Sequence, residues 1–336
     1  MKVSDKNITI KEHITVEFFY KQAKDRFDLQ LFTDDSGFKR LITGQNLHRP
    51  GLALAGFVEL FSYDRVQIVG NTEVKYLKEL SKNERLKTLR KIFNFDVPCV
   101  IFTNGHIPSP EAIELANKHN IPLFGSSFST TKLTYLVSDL LDDQFEPRLS
   151  LHGSFVDVYG VGMLFVGKSG IGKSEIALDL VERGHRLVAD DLVIFTKKGE
   201  GILMGAGTQL AQHFMEIRGI GIIDIRSMFG IRAIRFQKRL EMVVELEVWN
   251  ENEEYTRTGL DGTPINLLDV EIPYLQLPIF PGKNITVISE VIALNYLLKH
   301  YGYDAARVFQ DRLLDRIKKK TKDVDRVIDY FEHDFE

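Results

Sequence analysis

Two hydrophobic spacings alternate along the first third of the chain. Helical spacing covers 16–23 and 73–93, and strand-like apolar runs cover 66–69, 99–102 and 121–124. Ser109 followed by Pro110 predicts a helix start, because serine caps helices and proline fits the first turn. That helix is predicted to end near residue 120. Strands that alternate with helices over residues 1–130 predict a small N-terminal α/β domain.

The rest of the chain predicts a second domain. The polar segment 125–130 contains glycine and serine and suggests a boundary, and a helix over 131–146 is predicted to connect the domains. Strands are predicted over 154–159, 162–166, 187–189, 192–195 and 241–248, and helices over 287–299 and 303–320. The second domain therefore covers 147–322, followed by a loosely held tail over 323–336. The predicted fold class is α/β with two domains.

Composition excludes several classes of protein. The chain has 336 residues, 44% of them hydrophobic, which is ample for two buried cores. A net charge of −4 excludes the broad basic surface that is typical of nucleic-acid-binding proteins. No apolar stretch reaches the roughly 18 residues of a membrane span. The single cysteine, Cys99, lies in an apolar run, so we expect a buried thiol in a cytoplasmic protein that binds neither nucleic acid nor membrane.

The strongest functional motif follows the apolar run 163–166. It reads Gly167-Lys168-Ser169-Gly170-Ile171-Gly172-Lys173-Ser174 and is followed by helical spacing over 175–182. A strand, this glycine-rich loop and a helix together form a P-loop, whose backbone N–H groups surround nucleotide phosphates. The Lys173 ammonium can reach the β- and γ-phosphates, and the Ser174 hydroxyl can bind Mg²⁺. The sequence therefore predicts a site for ATP and Mg²⁺.

Polar residues elsewhere in the second domain are candidates for chemistry at this site. Asp190 and Asp191 end the strand 187–189; one can orient Mg²⁺ while the other accepts a proton, and like charge raises the pKa of one of them. Glu216 can complete a Mg²⁺ shell, although the glycines after it could simply mark a bent strand. His152 and Arg257 are ordinary structural or surface residues by default and catalytic residues by hypothesis.

These motifs together resemble the HPr kinase/phosphorylase family, whose members phosphorylate and dephosphorylate a serine of the phosphocarrier protein HPr. Residues 215–224, Met-Glu-Ile-Arg-Gly-Ile-Gly-Ile-Ile-Asp, resemble the family signature, and 46–56 and 63–67 resemble its N-terminal motif. The resemblance covers roughly residues 15 to 315. It implies a C-terminal P-loop kinase domain similar to the core of phosphoenolpyruvate carboxykinase, a homohexamer, and effectors such as fructose 1,6-bisphosphate and inorganic phosphate.

The resemblance also implies a role for each candidate. Asp191 would be the general base, assisted by Asp190, and the general acid in reverse. Lys173 and Arg257 would stabilise the transferred phosphate, and His152 would belong to the catalytic set. Ser174 and Glu216 would hold Mg²⁺. In one loop the family reads Pro-x-Arg-Pro-Gly-Arg-Asn, whereas this chain has Phe280 and Lys283 in place of the two arginines. Because the family ties this loop to dephosphorylation, the reverse reaction is expected to be affected.

Other nucleotide-dependent functions remain open at this point. A P-loop GTPase is disfavoured because no Asn-Lys-x-Asp element is present, and the motifs of eukaryotic protein kinases are absent. A regulator that senses a nucleotide without phosphotransfer needs no catalytic base, so the acidic pair argues against it. A small-molecule kinase related to phosphoenolpyruvate carboxykinase is a further alternative.

Overall fold

The computed structural model describes residues 7–199, 201–249, 264–280 and 282–320. Contacts divide them into two units. Thr9–Pro147 forms the N-terminal unit, and the described residues from Arg148 onward form the C-terminal unit together with Asn7 and Ile8. The first strand, β1, is Ile8–Thr9. Among the described residues, no helix has the length and apolar character needed to cross a membrane.

The N-terminal unit is an α/β domain. Its strands are β2 (Ile14–Thr15), β3 (Leu29–Leu31), β4 (Leu41–Ile42), β5 (Leu47–His48), β6 (Val66–Val69), β7 (Val100–Phe102) and β8 (Leu123–Ser126). Its helices are α1 (Val16–Ala23), α2 (Gly51–Leu54), α3 (Asn71–Glu79), α4 (Lys82–Phe93), α5 (Pro110–Lys118) and α6 (Thr130–Phe145). Strands β5 to β8 are parallel, and antiparallel β3 completes the order β3-β8-β7-β6-β5.

Apolar cores cover both faces of this sheet. One core contains α1 and α6, and the other contains α3, α4 and α5. The helix predicted as a connector over 131–146 corresponds to α6, and its apolar side, from Leu133 to Phe145, packs into the first core. Cys99 is fully buried in the same core, and burial raises the pKa of its thiol.

Capping residues decide where helices begin in this unit. The Ser109 hydroxyl accepts a hydrogen bond from the Ala112 N–H, and Pro110 occupies the first turn of α5, as predicted. The helical spacing over 73–93 is divided between α3 and α4. Ser81 starts the second of these helices, because its side chain and that of Glu84 bond each other's backbone N–H groups.

The C-terminal unit contains more strands than the sequence predicts. They are β9 (Arg148–His152), β10 (Ser154–Val158), β11 (Val161–Gly167), β12 (Arg186–Ala189), β13 (Leu192–Lys197), β14 (Leu203–Gly207), β15 (Phe214–Ile217), β16 (Gly221–Asp224), β17 (Gln237–Arg239), β18 (Met242–Val248), β19 (Ile265–Leu267), β20 (Val270–Ile272) and β21 (Tyr274–Ile279). The helices are α7 (Lys173–Glu182), α8 (Ile225–Phe229), α9 (Ile285–His300) and α10 (Ala305–Lys320).

The central sheet of this unit positions the candidate site. Its strand order is β12-β10-β11-β18-β21, with β11, β18 and β21 parallel and β10 antiparallel to both of its neighbours. Strand β12 therefore runs in the same direction as β11, two strands away. The carboxyl ends of β11 and β12 and the amino end of β10 meet at one edge. Helices α7 and α9 cover one face, and a mainly antiparallel sheet, β9-β13-β14-β17, covers the other.

Candidate active site

The P-loop has the predicted strand–loop–helix arrangement. Strand β11 is buried over 161–166 and ends at Gly167, and helix α7 begins at Lys173. Gly170 and Gly172 have φ angles of 80° and 101°, in the left-handed region that favours glycine. A Cβ atom at Gly170 would meet the guanidinium of Arg218. The loop therefore requires glycine both for its conformation and for the approach of that arginine.

The Lys173 side chain lies against the loop. Its Nζ donates to the carbonyl oxygens of Gly167 at 3.2 Å and of Lys168 at 3.1 Å. An ammonium group has three donors, so one remains for a ligand oxygen. The role of Lys173 at a nucleotide phosphate stays a prediction.

Asp190 is the buried centre of the site. Only 4% of the residue is exposed, and its Oδ1 accepts from the Ser154 hydroxyl at 2.5 Å. The Ser174 hydroxyl lies 2.9 Å from Oδ2 and 3.1 Å from Oδ1. Burial raises the pKa of the Asp190 carboxyl, against hydrogen bonds from both serines and from the Asp191 and Glu216 backbones. A raised pKa is as predicted, but its main cause is desolvation rather than the neighbouring charge of Asp191.

Asp191, in contrast to Asp190, has a side chain that is exposed to solvent. Its side chain is 78% exposed, and its backbone has a φ of 63°. The Gly153 N–H donates to the Asp191 carbonyl at 3.0 Å, which fixes this left-handed turn between β12 and β13. His152 lies beside it, with Nδ1 3.2 Å from the Asp191 carbonyl and 3.6 Å from Oδ1. Adjacent aspartates thus present one buried and one accessible carboxylate.

Glu216 and Arg218 come from a hairpin rather than from a bent strand. Strands β15 and β16 pair from Phe214–Asp224 to Ile217–Gly221, and the glycines of this segment lie at the turn. Met215 and Ile217 are buried, so the alternating side chains of Glu216 and Arg218 point away from the core. Arg218 Nη2 donates to the Ser169 hydroxyl at 3.3 Å.

One pocket brings most of the predicted residues together. It is lined by Ser154, Ser169, Gly170, Gly172, Lys173, Ser174, Glu175, Asp190, Asp191, Glu216 and Arg218. Gly167, Lys168 and Ile171 belong to the P-loop without lining the pocket, and His152 reaches it only through Asp191. Arg257 lies outside the described residues.

Ser154 is a pocket residue that the sequence analysis did not single out. It appeared only as the first residue of a predicted strand. The available signal was a small hydroxyl residue that follows Gly153 at the start of an otherwise apolar strand. Its contact with Asp190 depends on strand β10 running antiparallel between β11 and β12, which local sequence does not reveal.

The residues present fit a Mg²⁺ ion that binds together with a nucleotide. Within the described ranges, no three or more histidine, cysteine, aspartate or glutamate side chains form a metal-binding group. Mg²⁺ does not need one, because it usually takes one or two carboxylates, several waters and substrate phosphates. Asp190 and Glu216 supply carboxylates in this pocket, and Ser174 supplies a hydroxyl.

Comparisons with known proteins decide the family. Residues 14–141 match the description "HPr Serine kinase N terminus", and residues 143–313 match "HPr Serine kinase C-terminal domain". The chain belongs to the HPr kinase/phosphorylase family. A relative named HPr kinase/phosphorylase from Chloroherpeton thalassium is 54% identical over 331 residues, which are 97% of each chain. One of the same name from Prosthecochloris aestuarii is 50% identical over 90% of each chain.

A solved HPr(Ser) kinase/phosphatase from Coxiella burnetii aligns with 48% of this chain and 97% of its own, at 31% identity and a TM-score of 0.44. The HPr kinase/phosphorylase family assignment rests on the sequence matches, which extend over both structural units.

Proposed function

We propose that this chain is a Mg²⁺- and ATP-dependent kinase that phosphorylates a serine of HPr, and that it also removes this phosphate by phosphorolysis. The observation that carries the proposal is the pairing of a P-loop with one buried and one exposed aspartate. In phosphorylation the serine oxygen bonds to the γ-phosphorus, the bond to the ADP oxygen breaks, and the serine proton passes to Asp191. In phosphorolysis an oxygen of inorganic phosphate bonds to the phosphoserine phosphorus, the bond to the serine oxygen breaks, and that oxygen takes a proton from Asp191, which gives serine and pyrophosphate.

The accessible carboxylate of Asp191 suits the role of general base. A serine on another protein cannot reach Asp190, whose carboxylate is buried and already accepts bonds from Ser154 and Ser174. Asp191 is 78% exposed and can approach an incoming hydroxyl. His152 Nδ1 lies within 3.6 Å of its carboxylate, so we assign His152 to positioning Asp191.

The remaining polar groups suit charge stabilisation and metal binding. Mg²⁺, when bound, would supply positive charge that offsets the negative charge of the nucleotide phosphates. Ser174, Asp190 and Glu216 would hold it, and Asp190 already orients the Ser174 hydroxyl. Lys173 lies at the P-loop to meet the phosphates. Arg257 keeps its proposed role at the transferred phosphate on the strength of the family resemblance.

The loop in which Phe280 and Lys283 replace the two arginines of the family is relevant to phosphorolysis. Strand β21 is parallel to β18, which is parallel to β11, so Phe280, directly after Ile279, lies at the same sheet edge as the P-loop. Lys283 Nζ donates to the Pro278 carbonyl at 3.1 Å and lies 5.2 Å from the centre of the Phe280 ring. Because this lysine bonds within its own loop, we propose that phosphorolysis is slow relative to phosphorylation.

Assembly and regulation are proposed from the family as well. A homohexamer is supported by apolar side chains that are exposed around the β15–β16 hairpin, including Ile220 at 72% and Ile222 at 75%. A cytoplasmic location is supported by the unpaired, buried thiol of Cys99. Fructose 1,6-bisphosphate and inorganic phosphate are the proposed effectors.

The test is transfer of label from γ-labelled ATP, with Mg²⁺, to purified HPr. Label on a serine of HPr supports the kinase, and its release as pyrophosphate after unlabelled inorganic phosphate is added supports phosphorolysis. Asp191→Asn is the matched control for non-specific labelling. Tight ATP binding without any labelled HPr would favour a nucleotide-sensing regulator and overturn the proposal.

A further inference from the structure

A second pocket lies at the far end of the central sheet from the P-loop. Its polar lining consists of Asp157, Tyr159, Arg183, His185, Arg186 and Arg235. Asp157 is three residues beyond Ser154 along β10, which places it roughly 10 Å along the strand from the active site. The two pockets share none of their lining residues. The second pocket therefore has no assigned part in phosphotransfer.

The lining of this pocket is positively charged. Three arginine residues line it, against two carboxylates: Asp157 in the lining and Glu290 in contact with Arg183 and His185. Arg235 forms an ion pair with Asp157, and Arg183 forms a two-pronged pair with Glu290 at 2.9 and 2.6 Å. Arg186 lies directly opposite Asp157 in the register of β10 and β12 and is exposed. The surplus of guanidinium groups suits a ligand with several anionic oxygens.

The Asp157 carboxylate requires a hydrogen-bond donor on the ligand, which a fully ionised anion lacks. Its side chain is 5% exposed, and Oδ2 is engaged by Arg235. Its other oxygen, Oδ1, is buried and has no hydrogen-bond partner among the described residues. A buried carboxylate oxygen normally accepts a hydrogen bond. The pocket therefore calls for a ligand that offers anionic oxygens to the arginines and an O–H group to Asp157.

We propose that this pocket binds a protonated phosphate group and selects it through Asp157. At neutral pH, inorganic phosphate and phosphate monoesters retain a population with a P–O–H donor, whereas sulfate has no proton to donate. The Arg183, Arg186 and Arg235 guanidinium groups bind the ionised oxygens, and Asp157 Oδ1 accepts the remaining proton. A fully ionised anion of the same size places a lone pair against that carboxylate and is repelled.

The test is equilibrium binding of phosphate and of sulfate by calorimetry. The P-loop is first saturated with Mg²⁺ and a non-hydrolysable ATP analogue, so that binding there does not contribute. A lost hydrogen bond to a charged group corresponds to roughly a tenfold loss of affinity or more, so wild-type protein is expected to prefer phosphate to sulfate by at least about tenfold. Glycerol phosphate, titrated in parallel, distinguishes a site for monoesters from a site for the free ion.

Three variants test whether this pocket causes the preference for phosphate over sulfate. Asp157→Asn is expected to abolish the preference, because an amide can donate to sulfate, and its thermal unfolding checks that the protein is folded. Arg186→Gln is expected to weaken both anions about tenfold. Arg239→Gln, at an exposed arginine on β17, is the matched control and should change neither. Equal phosphate affinity in all four proteins, or equal affinity of wild type for phosphate and sulfate, would overturn the proposal.

Discussion

Replacing Ser154 with alanine tests whether the active site contains a buried, ionised carboxylate. Ser154 is 1% exposed, and its hydroxyl donates to Asp190 Oδ1 at 2.5 Å. A hydrogen bond to a charged group contributes about 1.5–3 kcal/mol, and alanine leaves only a small void. For a protein of 150 to 250 residues each kcal/mol shifts Tm by about 2–4 °C, so we expect Ser154→Ala to unfold roughly 3–12 °C lower at neutral pH.

The size of this loss depends on pH in a defined direction. The folded-state pKa of Asp190 is already raised by burial, and the Ser154 hydrogen bond opposes that rise. Removing this hydrogen bond raises the pKa of Asp190 further. The stability difference between Ser154→Ala and wild type therefore grows as pH rises through the folded-state pKa of Asp190. Below that pKa the carboxyl is protonated, and the lost bond is a neutral one that contributes about 0.5–1.5 kcal/mol.

Ser289→Ala is the matched control. Ser289 is also fully buried, but its hydroxyl donates to the neutral Ile285 carbonyl at 2.8 Å. Its loss is expected to be about 0.5–1.5 kcal/mol and independent of pH. Urea unfolding of both variants at several pH values provides the comparison. If Ser154→Ala and Ser289→Ala lose the same unfolding free energy with the same pH profile, Ser154 does not stabilise an ionised Asp190 carboxylate.

Three further perturbations test other parts of the account. Gly170→Ala should weaken ATP binding, because its φ of 80° costs a residue with a Cβ about 1–2 kcal/mol and the new atom meets the Arg218 guanidinium; unchanged affinity would contradict this. Phe280→Arg should raise pyrophosphate release relative to HPr phosphorylation, and an unchanged ratio would separate the loop from phosphorolysis. Glu290→Gln should lower Tm at neutral pH. Arg183 depresses the folded-state pKa of Glu290, so the wild-type advantage should fade as pH falls through that pKa, and a pH-independent difference would refute this ion pair.

Motifs whose chemistry is local were predictable from the sequence. The P-loop needs only a strand, a glycine-rich turn and a helix in succession, and α1 was delimited by its spacing alone. The Ser109 cap followed by Pro110 gave the start of α5 for the same reason. Each of these signals lies within a few consecutive residues, so tertiary packing had little to override.

Features that depend on strands distant in sequence were not predictable. Ser154 meets Asp190 because β10 lies between β11 and β12, and 36 positions separate the two residues. The contrast between buried Asp190 and exposed Asp191 likewise depends on the turn that is fixed by Gly153, which lies between β9 and β10. The motifs alone placed both carboxylates at the site, and only the family resemblance distinguished Asp191 as the base.

The proposed roles of Asp190 as a Mg²⁺ ligand and Asp191 as the general base are tested most directly by the rate of HPr phosphorylation as Mg²⁺ is titrated. Asp191→Asn should lower the maximal rate by about 10²–10⁴-fold without changing the Mg²⁺ concentration at half-maximal rate, since it removes the base alone. Asp190→Asn should raise that Mg²⁺ concentration, because it removes the negative charge of a proposed ligand and one of the two oxygens that can accept from the Ser174 hydroxyl. A shifted Mg²⁺ requirement in Asp191→Asn, with none in Asp190→Asn, would contradict the assignment of both residues.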